Sequence, residues 1–465
     1  MSSTNAPARP RLGNHVLARR HVIDGESAVI LFDASSDEVL RVGEREWAIL
    51  AAADGTRDVE GVVIAAARQG SRVEVAEAEA FLQALTQRGL VVDEPEVSSL
   101  TPAAQPPAER PVVPLPAYGL TCDRSGRCCR MYSTVLVANH EAERARALLP
   151  DRTFGRVPTA RAFLPVRGSI PGSAVAVIAN DGACGYLDPD GACAIHRAAG
   201  AAAKPAGCRV FPAVFIDDGD AVRVSIKTEC GCVLDSVDVE GGEPLVDPAV
   251  VQASDLPIEI VVSQLRSTLA VAPDVVATRR QVVDFVSAWL QRDAGSDPAR
   301  ACWAASEAAP RGLAAALEAA DAAATPPAPE RVAPFLAAMA RRSGARIRVD
   351  ARWRSAKDRV RRIGEWIART AVTCREPEIT AEILALGPSD ARREAFFVRA
   401  ALYGYAPFGE DLVDLQHGLK DLAVKLWVAR AMPTFATEAV DGEDALTSLE
   451  AWLRAYGGWR YILDA

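Results

Sequence analysis

Eight of the ten cysteines fall between Cys122 and Cys232, and this clustering constrains the chain more than any other feature. Thiols packed at that density either pair as disulfides or hold a metal. No apolar h-region stands in residues 1–21 and no apolar run of about 18 residues occurs, so the expectation is a soluble cytoplasmic protein with no membrane partner. Thiols stay reduced in that compartment, and clustered cysteines there read as metal ligands before disulfides.

The cysteines come in four groups. The first is Cys122 with the vicinal pair Cys128 and Cys129. The second is Cys184 with Cys193, followed by His196. The third is Lys204-Pro205-Ala-Gly-Cys208-Arg209-Val-Phe211-Pro212, and the fourth is Cys230-Gly-Cys232. Gly126, Gly185, Gly191, Gly207 and Gly231 each stand within two residues of a cysteine. They let the backbone turn tightly and aim amide N–H groups at sulfur. A closed zinc site usually draws its ligands from two C-x2–4-C knuckles, and none is present. A vicinal pair feeds two metals of a polynuclear centre more readily than one tetrahedral ion. An iron–sulfur cluster is therefore the first expectation, zinc the second and structural disulfides the third. Neither a radical-SAM C-x3-C-x2-C loop nor a G-x-G-x-x-G loop occurs.

With 465 residues, the chain has room for about three domains, and the fold class expected is α+β. Residues 14–93 read as a winged-helix-like unit. An extended run at 15–23 and a hairpin of strands at 28–32 and 37–42, turning at 34–36, precede helices at 44–53, 59–68 and 75–88, with Thr56 as a cap, Gly89 as a stop and a last strand at 90–92. Residues 94–116 hold seven prolines and read as a semi-rigid linker. Residues 117–245 form the cysteine region, with short strands and loops. Residues 250–465 read as a helical domain, with amphipathic segments at 258–269, 275–291, 345–371, 391–405 and 411–431.

A winged helix invites a DNA-binding reading, but charge opposes it. Residues 14–93 contain eight arginines, no lysine and fourteen acidic residues, and the whole chain carries a net charge of −9. A nucleic-acid partner is not expected.

The string Cys122, Cys128, Cys129, Cys184, Leu187, Cys193, Ile195, His196, Pro205, Cys208, Arg209, Phe211, Pro212 resembles the YkgJ-like cysteine-cluster family, which is described as zinc- or iron-chelating and includes the flagellin lysine N-methylases. The resemblance spans about a quarter of the chain. Many relatives carry a further cysteine between the first one and the CC pair. Arg124–Arg127 supplies none, so Cys230 or Cys232 stands as a candidate to complete the ligand set. The 14–93 unit resembles the PqqD-like peptide-recognition domain through Val42-Gly-Glu-Arg-Glu-Trp47, Asp54-Gly55-Thr56 and Phe81-Leu82…Leu85…Gly89-Leu90. That resemblance implies a peptide gripped by strand addition, with Val29, Leu31, Val39, Phe81 and Leu85 lining its groove.

The expected metal ligands are thus Cys122, Cys128, Cys129, Cys184, Cys193, Cys208, Cys230 and Cys232, with His196 and Arg209 beside them. A hydrogen-bonded or packed histidine and a surface arginine are the plainer readings of those two. Cys302 and Cys374 read as buried apolar cysteines. The function expected is a metal-binding, iron–sulfur protein that acts on a peptide or protein. The methylase resemblance implies lysine N-methylation with S-adenosylmethionine. The alternative is a non-catalytic zinc- or iron-binding adaptor. No catalytic residue and no oligomeric state are legible.

Overall fold

Period-two alternation shapes the front of the chain. In the computed structural model, Val16–Ile23 pairs antiparallel with Glu26–Asp33, which pairs antiparallel with Glu38–Val42. Residues 7–455 are described, apart from 14–15, 24, 34–37, 69, 94–105, 124–125, 127, 130–135, 155–156, 167–173, 178, 181–182, 258–259, 293–296, 324, 354–357, 375, 409–413 and 436–443. The expected hairpin turn at 34–36 lies outside them.

Side chains of successive strand residues point to opposite faces. Val29, Leu31, Leu40 and Val42 therefore share one face and pack on Trp47, Leu50, Val62, Leu82 and Leu85. Ala28, Ile30 and Val39 group on the other. Helices run over Glu44–Ala52, Val59–Arg68 and Val75–Gln87, within a residue of the sequence expectation.

Thr56 is not the cap of the second helix. Its hydroxyl is turned onto the Asp54 carboxylate. The cap is Asp58, whose carboxylate accepts the Gly61 N–H at 2.8 Å. Asp58 stands immediately before Val59, so its side chain reaches the orphan donors of the first turn. Gly89, at φ 72°, ends the third helix in a Schellman turn. Leu90 N–H bonds Leu85 C=O and Gly89 N–H bonds Thr86 C=O, both at 2.9 Å.

The chain divides into two units. The first comprises Met1–Pro102, Tyr132–Pro205 and Arg352–Ser355. The cysteine region expected as one domain over 117–245 is thus shared out. Its middle belongs to the first unit, because Ala179–Asn180 pairs parallel with Val16–Ile23 and Ala183–Cys184 pairs with Ala179–Asn180. The resulting five-stranded sheet ends at Glu38–Val42. Leu164 joins the apolar core of the front module. Val137, Ala145, Phe154, Phe163, Tyr186 and Ile195 build a second core cluster with Val22.

The second unit comprises Ala103–Met131, Ala206–Ala351 and Ala356–Ala465. Its four-stranded sheet runs in the order Val262–Gln264, Ala213–Asp217, Val222–Ile226, Val112–Pro114. Two expectations change here. The linker does not extend to 116, because Val112–Pro114 is an edge strand, where prolines at 111 and 114 are tolerated. The helix expected over 258–269 is replaced, among the described residues, by the strands Val262–Gln264 and Thr268–Ala272. Leu269 and Val271 are buried while Thr268 is exposed, a period of two that a spacing of four also satisfies over so short a run. Likewise 275–291 splits into a strand, Val275–Thr278, and a helix, Arg279–Leu290, that Thr278 caps.

Helices follow over Pro298–Ala308, Leu313–Asp321, Pro329–Trp353, Asp358–Cys374, Pro377–Ala385, Ala391–Tyr403, Leu415–Phe435 and Ala445–Ala455. Trp303, Trp366, Trp427 and Trp452 are buried among them. Arg430 crosses this core. It donates to Asp297 at 2.8 Å and to Glu394 at 2.5 Å, and Asp297 also caps Pro298–Ala308. One buried cation therefore ties three helices. With helices and sheets in both units, the chain is α+β. No helix among the described residues is long and apolar enough to cross a membrane.

Candidate metal centre

Cys122 and Cys232 of the second unit meet where a loop is pinned against a short helix. The helix is Gly231–Asp235, and Cys230 stands at its N-cap position. The loop is the segment after Val112–Pro114. Its Leu120 bridges Glu243, with N–H to O distances of 2.7 and 3.0 Å. That approach needs two glycines, because a Cβ on Gly242 would lie 2.5 Å from the Gly119 carbonyl carbon and oxygen. Next along the chain, Thr121 N–H donates to Ser236 Oγ at 2.9 Å, and Ser236 Oγ donates to the Cys232 carbonyl at 2.6 Å. Tyr118 O–H bonds the Val233 carbonyl at 3.0 Å while its ring stacks on Phe396 with centroids 4.7 Å apart.

This anchoring brings Cys122 and Asp123 onto Cys232. One ligand atom from each lies within 4.8 Å of the others, and this is the group among the described residues placed to hold an ion. Asp123 N–H points at Cys232 Sγ at 3.4 Å, and the Cys232 thiol points at Asp123 Oδ1 at 3.2 Å. Cys122 and Asp123 are exposed and Cys232 is buried. The hydrogen bond with Cys122 lowers the Cys232 thiol, but contact with Cys230 and burial outweigh it and push the thiol up to about 12. Burial also raises the Tyr118 phenol, and the neighbouring Cys230 and Cys232 add to the rise. The donor set fits a metal: soft sulfurs and one carboxylate converge, and a bound cation would offset the mutual repulsion of their anionic forms.

The other expected ligands are distributed as follows. Cys128 and Cys129 have helical backbone, with sulfurs 4.0 Å apart. Cys208 lies half-buried on Ala206–Val210, where the neighbouring Arg209 is exposed. Cys184 and Cys193 belong to the first unit. There, a tight turn with Gly191 at φ 87° folds Asp188 back on Ala192, and Leu187 bridges Cys193. Arg152 and Arg197 hold the Asp188 carboxylate at 2.8 and 3.0 Å. Burial raises the Cys184 thiol, the Tyr186 N–H lowers it, and Cys193 raises it again. His196 is exposed on Ala194–Ala199. No disulfide joins the described cysteines. Cys302 is fully buried, and the side chain of Cys374 lies outside the description.

The residues expected to line a peptide groove differ in exposure. Val29, Leu31 and Leu85 are buried in the front core, because strand alternation turns the first two toward the helices. Val39 and Phe81 are half-buried. The strand Glu38–Val42 is the end of its sheet, and Arg88 reaches Glu38 at its start at 2.9 Å.

Sequence reasoning did not single out Asp123. For Asp123 a signal existed: a carboxylate directly after the first cysteine. Comparison with known proteins finds no matching family model, no matching curated protein and no matching solved structure.

Proposed function

We propose that this chain is a metal-binding protein whose centre is built on the thiols of 122–232 and which acts on a peptide or protein substrate. The observation that carries the reading is the convergence of Cys122, Asp123 and Cys232 within 4.8 Å, with Cys230 against Cys232. An iron–sulfur cluster is the proposed occupant, since the vicinal Cys128 and Cys129 offer further sulfurs in the same unit. Zinc is the second reading, and one feature favours it. Ligand atoms around a single tetrahedral ion with bonds near 2.3 Å lie roughly 3.7 Å apart, a spacing the compact Cys122–Asp123–Cys232 group can adopt with small side-chain moves.

The front module is proposed as a PqqD-like, winged-helix-like peptide-recognition unit. Its end strand Glu38–Val42 supports that reading, because the end strand of a sheet can accept an added strand through main-chain hydrogen bonds. Val39 and Phe81 then contact the peptide, while Val29, Leu31 and Leu85 hold the strand and helix in place. The reaction proposed from the resemblance is lysine N-methylation with S-adenosylmethionine.

Anaerobic purification followed by iron, acid-labile sulfide and zinc analysis tests the centre. Stoichiometric iron with sulfide is expected, and one zinc without sulfide selects the second reading. Incubation with a co-encoded short peptide or flagellin and S-adenosylmethionine tests the reaction. An unchanged peptide mass, with binding retained, would assign the protein as an adaptor.

A further inference from the structure

We propose that Asp123 is an oxygen ligand of the metal centre and holds the coordination position that an incoming nitrogen or sulfur donor of the substrate takes. The proposal rests on the metal-centre reading above and adds to it a ligand that is not a cysteine.

Placement is the first support. Asp123 shares the 4.8 Å group with Cys122 and Cys232, and backbone contacts fix it there. Its own N–H lies 3.4 Å from Cys232 Sγ. Two residues earlier, Thr121 N–H is held by Ser236 Oγ at 2.9 Å, and the same hydroxyl holds the Cys232 carbonyl at 2.6 Å. Oδ1 of Asp123 and Sγ of Cys232 are 3.2 Å apart. As anions, the carboxylate and thiolates would repel at this range. A divalent cation bound by all of them turns that repulsion into attraction.

Asymmetry of exposure is the second support. Cys232 is buried, with 6% of its surface accessible, whereas Asp123 is exposed. The thiolate anchors the metal from the protein side, and the carboxylate closes it on the solvent side. A borderline-soft ion holds a carboxylate less firmly than a thiolate. The carboxylate is therefore the donor that yields when a nitrogen or sulfur donor arrives from solvent, and the reaction at that step is ligand exchange with no change in oxidation state.

Cobalt(II) reports thiolate ligands by charge transfer and coordination geometry by its visible ligand-field bands. The full chain, freed of metal, is titrated with cobalt(II). The wild type is expected to show both signals, and Cys122→Ser and Cys232→Ser to lose charge-transfer intensity. Asp123→Ala is expected to keep the wild-type charge-transfer intensity per bound cobalt, change the ligand-field bands and bind at least about tenfold more weakly, since even outer-shell partners cost that much. Imidazole added to the wild type should shift the ligand-field bands while the charge-transfer band persists. Far-UV circular dichroism checks that the exposed-site variants Asp123→Ala and Asp123→Asn remain folded. An Asp123→Ala titration superimposable on the wild type, with Cys232→Ser defective, would overturn the proposal and leave the metal centre standing. A wild-type chain with no cobalt signal would overturn the proposal, and the iron, sulfide and zinc analysis would then decide the metal-centre reading on its own.

Discussion

Gly119 and Gly242 meet backbone against backbone, and the contact leaves no room for a side chain on either. It lets Leu120 bridge Glu243 and delivers Cys122 and Asp123 to Cys232. Gly242→Ala should therefore displace the loop. The expected cost is about 1–3 kcal/mol, as for other overpacked contacts, together with weaker cobalt binding. Gly387→Ala is the control, since its Cβ would meet nothing within 4 Å. Urea unfolding and cobalt titration of both variants check this. Equal metal affinity in Gly242→Ala and wild type would show that the glycine pair does not position the site.

Arg430 is nearly inaccessible and pairs with two carboxylates. Arg430→Met strands Asp297 and Glu394 in the core, and breaking a buried pair this way costs about 3–5 kcal/mol. Removing both acids as well, in the triple variant with Asp297→Asn and Glu394→Gln, should recover part of the loss. Chemical denaturation of the single and triple variants measures the recovery.

Acid should loosen the second unit through two aspartates. Burial pushes the Asp218 carboxyl up, but Arg223 at 2.7 Å and the N–H groups of Ala221 and Asp220 outweigh it and hold it below the usual range. Asp297 is likewise raised by burial and held below by Arg430 and its capping bonds. A depressed carboxyl contributes stability that is complete above its unfolded value near 3.9 and is lost as pH falls through the lower folded value. Thermal melts should thus stay level for these groups above about pH 5 and drop below about pH 4. Asp218→Asn should flatten that drop while lowering stability at neutral pH.

Burial pushes the Cys302 thiol up to about 12. Thiolate is the reactive form, so Cys302 should resist iodoacetamide at pH 8 in the native protein and react fully in denaturant. Peptide mass spectrometry gives the readout. Native labelling at the rate of a surface cysteine would contradict the burial.

The helices of the front module were legible because period and stop agree: Val59–Arg68 and the Gly89 turn match what spacing and glycine chemistry dictate, although the cap is Asp58 and not Thr56. The strands at Val262–Gln264 and Thr268–Ala272 were not, because a run this short satisfies both periods and only tertiary pairing decides. The cysteines stood out as a set, but their sorting into units did not. Strand pairing of Ala179–Asn180 with Val16–Ile23 is a non-local event that spacing along the chain does not encode. Asp123 went unnoticed for a related reason: an aspartate is an ordinary surface residue until a distant hairpin of contacts at Gly119, Gly242 and Ser236 places it beside sulfur.

The parallel pairing of Val16–Ile23 with Ala179–Asn180 bears on how the protein is made and cut. A ribosome that has released the first hundred residues has released a sheet still lacking two of its strands, and a core still lacking Leu164. The front module completes only when chain some 160 residues downstream of its first long strand has emerged. An excised 7–93 fragment would carry exposed edges on both flanks of its sheet, and such edges recruit other chains. Expression trials of the 7–93 fragment should yield aggregated material where the full chain does not.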